Sequence, residues 1–342
     1  MNDFGFQWHI TDRCFGRCKH CYQSSFHSVS EQPVSALKEI ASHIMSQLDV
    51  PVSINLTGGE PLLYKDLFEL MTFLSTFSNL DELNLITSSL GMDSSTIKEL
   101  KKIDKLKSVK ISLESHIPAV NNYIRGEGHF QIAAGNINSL ARAGIPVIIM
   151  AALGSYNYTC VEGLCALAAE LGASGVIFER YVPMGQGEKL RSEVLNKWQW
   201  NEVLRAICRI GDLDAEEESL PAYKAFWIDI PDTEIAFTAS SISINGALCN
   251  LGSSSMALMP DGTVFPCRRL PVPAGRIPDC TMKQLLETLS QYSPEVLRKK
   301  MKNVKCGSCD IEGCGGCRAL SHALGGGMHG SDPLCAHIKP HT

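Results

Sequence analysis

The segment CFGRCKHC, residues 14–21, contains three cysteines with three and then two residues between them, directly after the first apolar stretch of the chain. Tetrahedral sulfur sites use four ligands, so three thiolates leave one position to be filled. His20 lies inside the motif and His27 just after it, but neither completes a usual zinc spacing. The motif therefore indicates a zinc site completed from elsewhere, three unconnected thiols, or a [4Fe–4S] cluster with one iron open to a small molecule.

A second short motif, TGGEP at residues 57–61, follows the next β-rich segment. Consecutive glycines let the backbone approach a ligand closely and expose its N–H and C=O groups. Glu60, next to Pro61, offers a carboxylate to an ammonium group. By itself this motif also fits an ordinary strand-to-helix turn, but its pairing with the cysteine motif one strand earlier favours a ligand pocket.

The composition limits the class of protein. The chain has 342 residues, a net charge of −5 and 14 cysteines. The acidic balance argues against nucleic acid as the main partner. The first residues do not form a signal peptide, and the longest apolar stretch is about half the length of a membrane span. We expect a cytoplasmic protein with no membrane partner, whose clustered cysteines bind metal.

The amino-terminal part of the chain alternates β-rich segments with amphipathic helices. The β-rich segments are FGFQWHI, VSINLTG, ELNLITS, SVKISLE, IPVIIMAAL and ASGVIFERYV. Such an alternation predicts six parallel strands, either in an open barrel or in a doubly wound sheet. In both folds ligands bind at the carboxyl ends of the strands, which is where both motifs lie.

Together, the two motifs resemble the radical S-adenosylmethionine superfamily, and the resemblance covers residues 4 to about 212. It implies an α/β fold with a partial (β/α)6 TIM-like barrel at residues 1–212. It also implies an enzyme that generates a 5′-deoxyadenosyl radical from S-adenosylmethionine. The implied cluster ligands are Cys14, Cys18 and Cys21, and the implied partners of the cofactor amino group are Gly58, Gly59 and Glu60.

Three further cofactor-binding residues are implied by position in that family. Ser112 would hold the ribose, Arg125 would pair with the cofactor carboxylate, and His20 would flank the adenine. The chain departs from relatives at two strand ends. It has Thr87-Ser88-Ser89 where they often have Thr-Asn-Gly, and Glu114-Ser115 where Asp-Gly is common. These departures bear on which side chains contact the ribose.

The carboxyl-terminal residues contain a second cysteine zone, centred on CGSCDIEGCGGC at 306–317. Its two C-x2-C pairs are four residues apart, whereas a zinc ribbon needs about 15 to 20. The block and its flanks resemble the SPASM extension of radical enzymes, with central spacings one residue shorter than the commonest form. We therefore expect a linker at 213–245 and a small SPASM domain at 246–342, ending the chain.

The SPASM resemblance implies two auxiliary [4Fe–4S] clusters. The implied ligands are Cys306, Cys309, Cys314 and Cys335 for the outer cluster, and Cys249, Cys267 and Cys317 for the inner one. The inner cluster lacks a fourth ligand, which leaves its iron open, bound by Cys280, or bound by a substrate atom. The remaining cysteines are expected in the core, with one thiol that returns a hydrogen atom as the alternative: Cys160, Cys165, Cys208 and Cys280.

The resemblance implies a substrate that is a ribosomally synthesised peptide or protein, which the enzyme would crosslink, epimerise or oxidise. The alternative is a small molecule such as a tetrapyrrole or cofactor precursor, because the carboxyl-terminal motif also resembles enzymes of modified haem synthesis. Only 13 residues precede Cys14, so we expect no leader-binding domain in this sequence. The expected electron donor is a flavodoxin or a ferredoxin. No catalytic side chain is assigned.

Overall fold

The computed structural model describes residues 2–27, 30–213, 223–231, 243–252, 254–301, 304–309 and 311–335. Six parallel strands form its centre and follow one another in the sheet in chain order. They are β1 (Phe4–His9), β2 (Val52–Thr57), β3 (Leu80–Thr87), β4 (Leu106–Ser112), β5 (Val147–Leu153) and β6 (Gly175–Arg180). This sequential order confirms the partial barrel, because a doubly wound sheet reverses its strand order part-way. The sheet is not closed.

Helices cover the outer face of these strands and bury their apolar sides against it. They are α1 (Val34–Met45), α2 (Leu67–Ser75), α3 (Ser94–Leu100), α4 (Pro118–Arg125), α5 (His129–Arg142), α6 (Val161–Leu171) and α7 (Lys197–Gly211). The cap of α3 is Asp93, whose carboxylate accepts from the Thr96 N–H and so satisfies a free donor of the first turn. Pro33 is the residue directly before α1, and its ring fixes the φ angle at which the chain enters the helix.

The inner face of the strands carries several polar side chains. Outward-facing positions such as Trp8, Leu56 and Ile111 are fully buried beneath the helices. Alternate positions face the other way, since successive side chains of a strand point to opposite sides. Those inner positions include Gln7, Asn55, Lys110 and Glu179, which line a cavity instead of a packed interior.

The sheet continues on both sides of the parallel strands, and the described residues contribute eleven strands to it. Beside β6 lie β7 (Ala225–Asp229) and β8 (Ser243–Ala247), each antiparallel to its neighbour. Beside β1 lies β9 (Ser255–Leu258), followed by β10 (Thr263–Phe265) and β11 (Gly275–Arg276). Strands β9 and β10 form a hairpin with Asp261-Gly262 in its turn, where the Thr263 N–H donates to Asp261 Oδ1 at 3.0 Å.

The segment predicted as a linker, 213–245, therefore contains β7, which pairs with β6 along its length. The division at 212 and 246 stays a prediction. The rest of the carboxyl-terminal part consists of short helices and loops that carry the second cysteine zone. Its helices are α8 (Met282–Ser290), α9 (Pro294–Lys300) and α10 (Arg318–Ser321). Within the described ranges, no helix has the length and apolar character needed to cross a membrane.

Candidate functional site

The loop that carries the first three cysteines is held against the TGGEP turn by backbone hydrogen bonds. The Gly59 N–H donates to the Thr11 carbonyl and the Glu60 N–H donates to the Arg13 carbonyl, both at 2.7 Å. A Cβ atom on Gly58 would come within 2.4 Å of the Thr11 oxygen, and one on Gly59 within 2.2 Å of the Arg13 oxygen. The two glycines are therefore required by this close approach of the cysteine loop.

Two further contacts fix the other end of the loop. The Lys19 N–H donates to the Ile124 carbonyl at the end of α4 at 2.9 Å, and the Gly187 N–H donates to the Cys21 carbonyl at 2.8 Å. The loop is thus attached to segments that follow β2, β4 and β6. Because all three strands are parallel, these attachments lie together at the carboxyl ends of the strands.

The three thiols of this loop share one cavity of about 230 Å³. The cavity is also lined by the predicted cofactor residues Gly58, Gly59, Ser112, Arg125 and His20. Burial raises the pKa of the Cys14 thiol to about 12, and the neighbouring thiolates of Cys18 and Cys21 act in the same direction. Such mutual repulsion is what a bound cationic metal group would relieve.

Glu60 lies behind the wall of this cavity. Its carboxylate is fully buried and accepts hydrogen bonds from the Thr87 hydroxyl at 2.6 Å, from the Ser88 N–H at 2.9 Å and from the Ser88 hydroxyl. Thr87 and Ser88 are the residues that line the cavity at this point. Burial raises the pKa of Glu60, although the hydrogen bonds from Ser88 and Thr87 lower it. A cation in the cavity would favour the ionised form.

Arg125 forms a buried ion pair with Glu114 at the end of β4. Its Nε donates to Glu114 Oε1 at 2.8 Å, its Nη2 donates to the same oxygen, and its Nη1 lies 3.7 Å from Cys18 Sγ. His20 Nε2 lies 3.3 Å from that carboxylate oxygen. Burial alone would raise the pKa of Glu114, but the charges of Arg125 and His20 lower it to about 2. The structure thus joins two predicted cofactor residues through a carboxylate that the sequence marked only as a departure.

The inner set of carboxyl-terminal thiols also lines a common cavity. Cys249, Cys267 and Cys317 face a space of about 400 Å³ on the inner side of the strands. Burial raises the pKa of Cys249 to about 12, with Cys317 and Cys267 adding to the shift. Cys280 does not line this cavity: its thiol donates to the Arg276 carbonyl at 3.0 Å, and its carbonyl lies 3.0 Å from His43 of α1.

Asp332 connects the outer thiols to the barrel. Its N–H donates to Cys306 Sγ at 3.2 Å, and its carboxylate accepts from the Cys317 N–H at 2.8 Å. The same carboxylate forms an ion pair with Arg180 of β6 at 2.8 Å and lies 3.5 Å from Lys224. Burial alone would raise the pKa of Asp332, but these cations hold it far below its usual range. The second cysteine zone is therefore fixed to β6 by a buried charge pair.

The cavity beside the first three thiols and the cavity beside the inner thiols share part of their lining. The shared residues include Gln7, Met150, Glu179, Arg180, Arg268 and Arg269. A molecule held between the two cysteine groups would contact these side chains. In the described part of the chain, no three His, Cys, Asp or Glu side chains are grouped to hold a single metal ion.

Comparison with known proteins assigns the family. A sequence model of the Radical SAM superfamily matches residues 8–168, from β1 into α6. These residues form a radical SAM domain. The match includes the three cysteines at 14–21, the TGGEP turn, Ser112 and Arg125.

Several similar proteins align with nearly the whole chain. An AdoMet-dependent heme synthase of Oleidesulfovibrio alaskensis is 25% identical, covering 96% of this chain and 86% of its own length. A PqqA peptide cyclase of Ruegeria pomeroyi is 26% identical, covering 97% and 87%. Among solved structures, anSMEcpe with bound AdoMet and Cp18Cys peptide superposes with a TM-score of 0.71 at 17% identity, covering 97% of this chain and 93% of that chain. The last likeness concerns the fold.

Several polar residues of the radical SAM cavities were not predicted as site residues. Lys110 interrupts the apolar strand SVKISLE, and a lysine among buried strand positions is the signal that marks it. Arg268 and Arg269 directly follow Cys267 in FPCRRL, next to a predicted ligand. Glu114 accepts from the Ala152 N–H at 2.8 Å as well as from Arg125, so its position depends on contacts that are distant in sequence.

Proposed function

We propose that this radical SAM enzyme binds a [4Fe–4S] cluster through Cys14, Cys18 and Cys21 and binds S-adenosylmethionine in the same cavity. The observation that supports this is the convergence of the three thiols with Gly58, Gly59, Ser112 and Arg125 around one space of about 230 Å³. When bound, the cluster and S-adenosylmethionine supply a 5′-deoxyadenosyl radical that abstracts a hydrogen atom from the substrate. The chain supplies orientation, charge and exclusion of water.

The individual roles follow from the contacts around the cavity. The backbone of Gly58 and Gly59 offers polar groups to the cofactor, and Glu60 supplies negative charge for the amino group from behind Ser88. Ser112, at the end of β4, holds the ribose, and the backbone at His20 flanks the adenine. Arg125 keeps one guanidinium nitrogen, Nη1, free of Glu114 and directed to the cluster side, where it attracts the cofactor carboxylate.

The carboxyl-terminal thiols fit two auxiliary clusters. Cys249, Cys267 and Cys317 hold the inner one beside the barrel cavity, and its fourth position is not Cys280, whose thiol bonds to Arg276 elsewhere. The outer one uses Cys306, Cys309, Cys314 and Cys335. Asp332 connects the first and the last of these, since its N–H donates to Cys306 Sγ and its carbonyl accepts from the Cys335 N–H. When bound, these clusters would supply electron transfer to or from a substrate placed between the two cavities, and the electron donor we propose is a flavodoxin or a ferredoxin.

The substrate we propose is a ribosomally synthesised peptide or protein. Two proteins similar to this chain are described as acting on or binding a peptide. They are the PqqA peptide cyclase and anSMEcpe, whose structure contains the Cp18Cys peptide. The second candidate is a small molecule of the tetrapyrrole class, which the similarity to an AdoMet-dependent heme synthase over 96% of this chain favours.

One experiment tests the reaction and separates the two candidates. Anaerobically reconstituted enzyme is given S-adenosylmethionine and dithionite together with one of two deuterated substrate pools. One pool is a cell extract of deuterated peptides, and the other contains deuterated porphyrin precursors. The proposal predicts 5′-deoxyadenosine that contains deuterium from one pool, detected by mass spectrometry. Deuterium from the peptide pool supports the first candidate, and deuterium from the porphyrin pool supports the second. Unlabelled 5′-deoxyadenosine with both pools contradicts both substrate classes.

A further inference from the structure

The space between the two cysteine groups is rich in cations. Six basic side chains line the larger cavity, on the inner side of the strands: Lys110, Arg180, Lys224, Arg268, Arg269 and Arg318. Glu179 is the carboxylate among its lining residues. Charges removed from water are costly unless an opposite charge accompanies them. The partner of each cation therefore indicates what the cavity is built to receive.

Three of these cations already have partners within the protein. Arg180 pairs with Asp332 at 2.8 Å, and Lys224 lies 3.5 Å from the same carboxylate. Arg269 pairs with Glu179 at 3.1 Å and donates to the Arg180 carbonyl. Each of these three cations therefore has a carboxylate partner in the protein, whereas Arg318 donates to the carbonyls of Met328 and Gly330 and lies 3.6 Å from Cys306 Sγ.

Arg268 and Lys110 differ from the three cations that have carboxylate partners. Among the described residues neither forms an ion pair with a carboxylate. The Arg268 Nε is buried without a hydrogen-bond partner, and its guanidinium lies 4.4 Å from the centre of the Tyr22 ring. Lys110 is buried, and its ammonium group donates to the neutral Asn55 side chain at 2.8 Å. Both side chains line the larger cavity, which shares lining residues with the cavity of the first cysteine group.

We infer that Arg268 and Lys110 bind a carboxylate of the substrate, so that the enzyme acts on an acidic side chain of a peptide or on a small polycarboxylate. This inference rests on the proposed function, because it assigns the substrate class to the same cavity. A guanidinium that stacks on an aromatic ring keeps its edge directed outward and can donate two parallel hydrogen bonds to one carboxylate. Lys110, on β4, adds a second positive charge to the lining of the same cavity.

Binding measured without turnover tests this assignment. Cluster-loaded enzyme with S-adenosylmethionine is titrated anaerobically in a calorimeter with two matched pairs of probes. One pair is acetyl-Ala-Glu-Ala-amide and its Gln analogue, and the other is glutarate and glutaramide. We expect the acidic member of at least one pair to bind about tenfold more tightly than its amide, the difference that a charge-assisted contact supplies. A preference in the peptide pair indicates a peptide source, and one confined to glutarate indicates a small molecule.

Variants then locate the effect. Arg268→Gln and Lys110→Gln should each abolish the preference for the acid, whereas Arg268→Lys and Lys110→Arg should retain part of it. The matched controls Lys107→Gln, exposed on β4, and Arg276→Gln, exposed on β11, should leave it unchanged. Equal affinity within both pairs, no binding of either acid at about 10 mM, or a preference that survives in both Gln variants overturns the inference. Because no cofactor cleavage is required, failure here is distinct from failure of the proposed reaction.

Discussion

The Arg125 guanidinium donates through two nitrogens to a single carboxylate oxygen of Glu114, and both side chains are buried beside the first cysteine group. The Cys18 thiol lies 3.7 Å from the remaining guanidinium nitrogen. The ion pair thus connects the end of β4, the end of α4 and the cysteine loop. A buried pair of this kind leaves an uncompensated charge when one partner is removed.

Replacement of Glu114 should therefore destabilise the protein strongly. We expect Glu114→Gln to lower the free energy of unfolding by about 3 to 5 kcal/mol, because Arg125 would remain buried without its counter-ion. Urea denaturation of the cluster-free protein measures this change. The control is Glu99→Gln, which removes an exposed pair with Lys102 on α3 and should cost less than about 0.5 kcal/mol. Equal costs for the two variants would show that the buried pair does not contribute as its geometry indicates.

The same pair predicts a pH dependence. The pKa of Glu114 is lowered from 4.5 to about 2, so its ionised form is favoured in the folded state. The stabilisation it supplies is complete above pH 4.5 and is lost as the pH falls from 4.5 towards 2. The difference in unfolding free energy between the wild type and Glu114→Gln should shrink over that range. A difference that stays constant from pH 6 to about pH 2 would contradict the assignment.

The glycines of the TGGEP turn should be required for cluster assembly. A Cβ atom on Gly59 would lie 2.2 Å from the Arg13 carbonyl oxygen, so Gly59→Ala must displace the cysteine loop. We expect this variant to lose about four irons per chain relative to the wild type after reconstitution. Gly135→Ala is the control, since a Cβ there meets no atom within 4 Å and Gly135 lies within helix α5. Full iron content in Gly59→Ala would refute the steric argument.

Ser89 occupies a backbone conformation that glycine adopts more easily. Its φ is 60°, and its buried hydroxyl has no hydrogen-bond partner in the described part of the chain. Ser89→Gly should relieve both costs and raise the free energy of unfolding by about 1 kcal/mol. Ser42→Gly, at an exposed position inside helix α1, should change it by about the same amount in the opposite direction. A thermal melt that shows destabilisation by Ser89→Gly would exclude this explanation.

Local patterns in the sequence predicted the parts of the fold that depend on neighbouring residues. The alternation of β-rich and helical segments predicts the six parallel strands, and the Asp-Gly turn predicts the hairpin β9–β10. Strand β7 was missed because it is only five residues long and is held by pairing with β6, which is distant in sequence. The alternation of Phe226, Ile228 and Ile230, all buried, is the signal that could have identified it.

The candidate site shows the same division. The cysteine spacing and TGGEP predict which loops meet, because both follow parallel strands. The pairing of Arg125 with Glu114 depends on how α4 packs over the end of β4, and no spacing rule gives that contact. The position of Cys280 beside Arg276, away from the inner thiols, likewise depends on the course of the chain after β11. Glu60 was predicted from its motif, but its burial behind Ser88 required the structure.

The yield of 5′-deoxyadenosine from the reduced enzyme tests the central claim most directly. Reconstituted wild type and two variants, Cys18→Ala and Cys165→Ala, are given dithionite and S-adenosylmethionine, and the product is quantified. Cys165 is a buried thiol in α6 that lies outside both cysteine groups. The account predicts product from the wild type and from Cys165→Ala, and none above background from Cys18→Ala. Product from Cys18→Ala at the level of the wild type would contradict it.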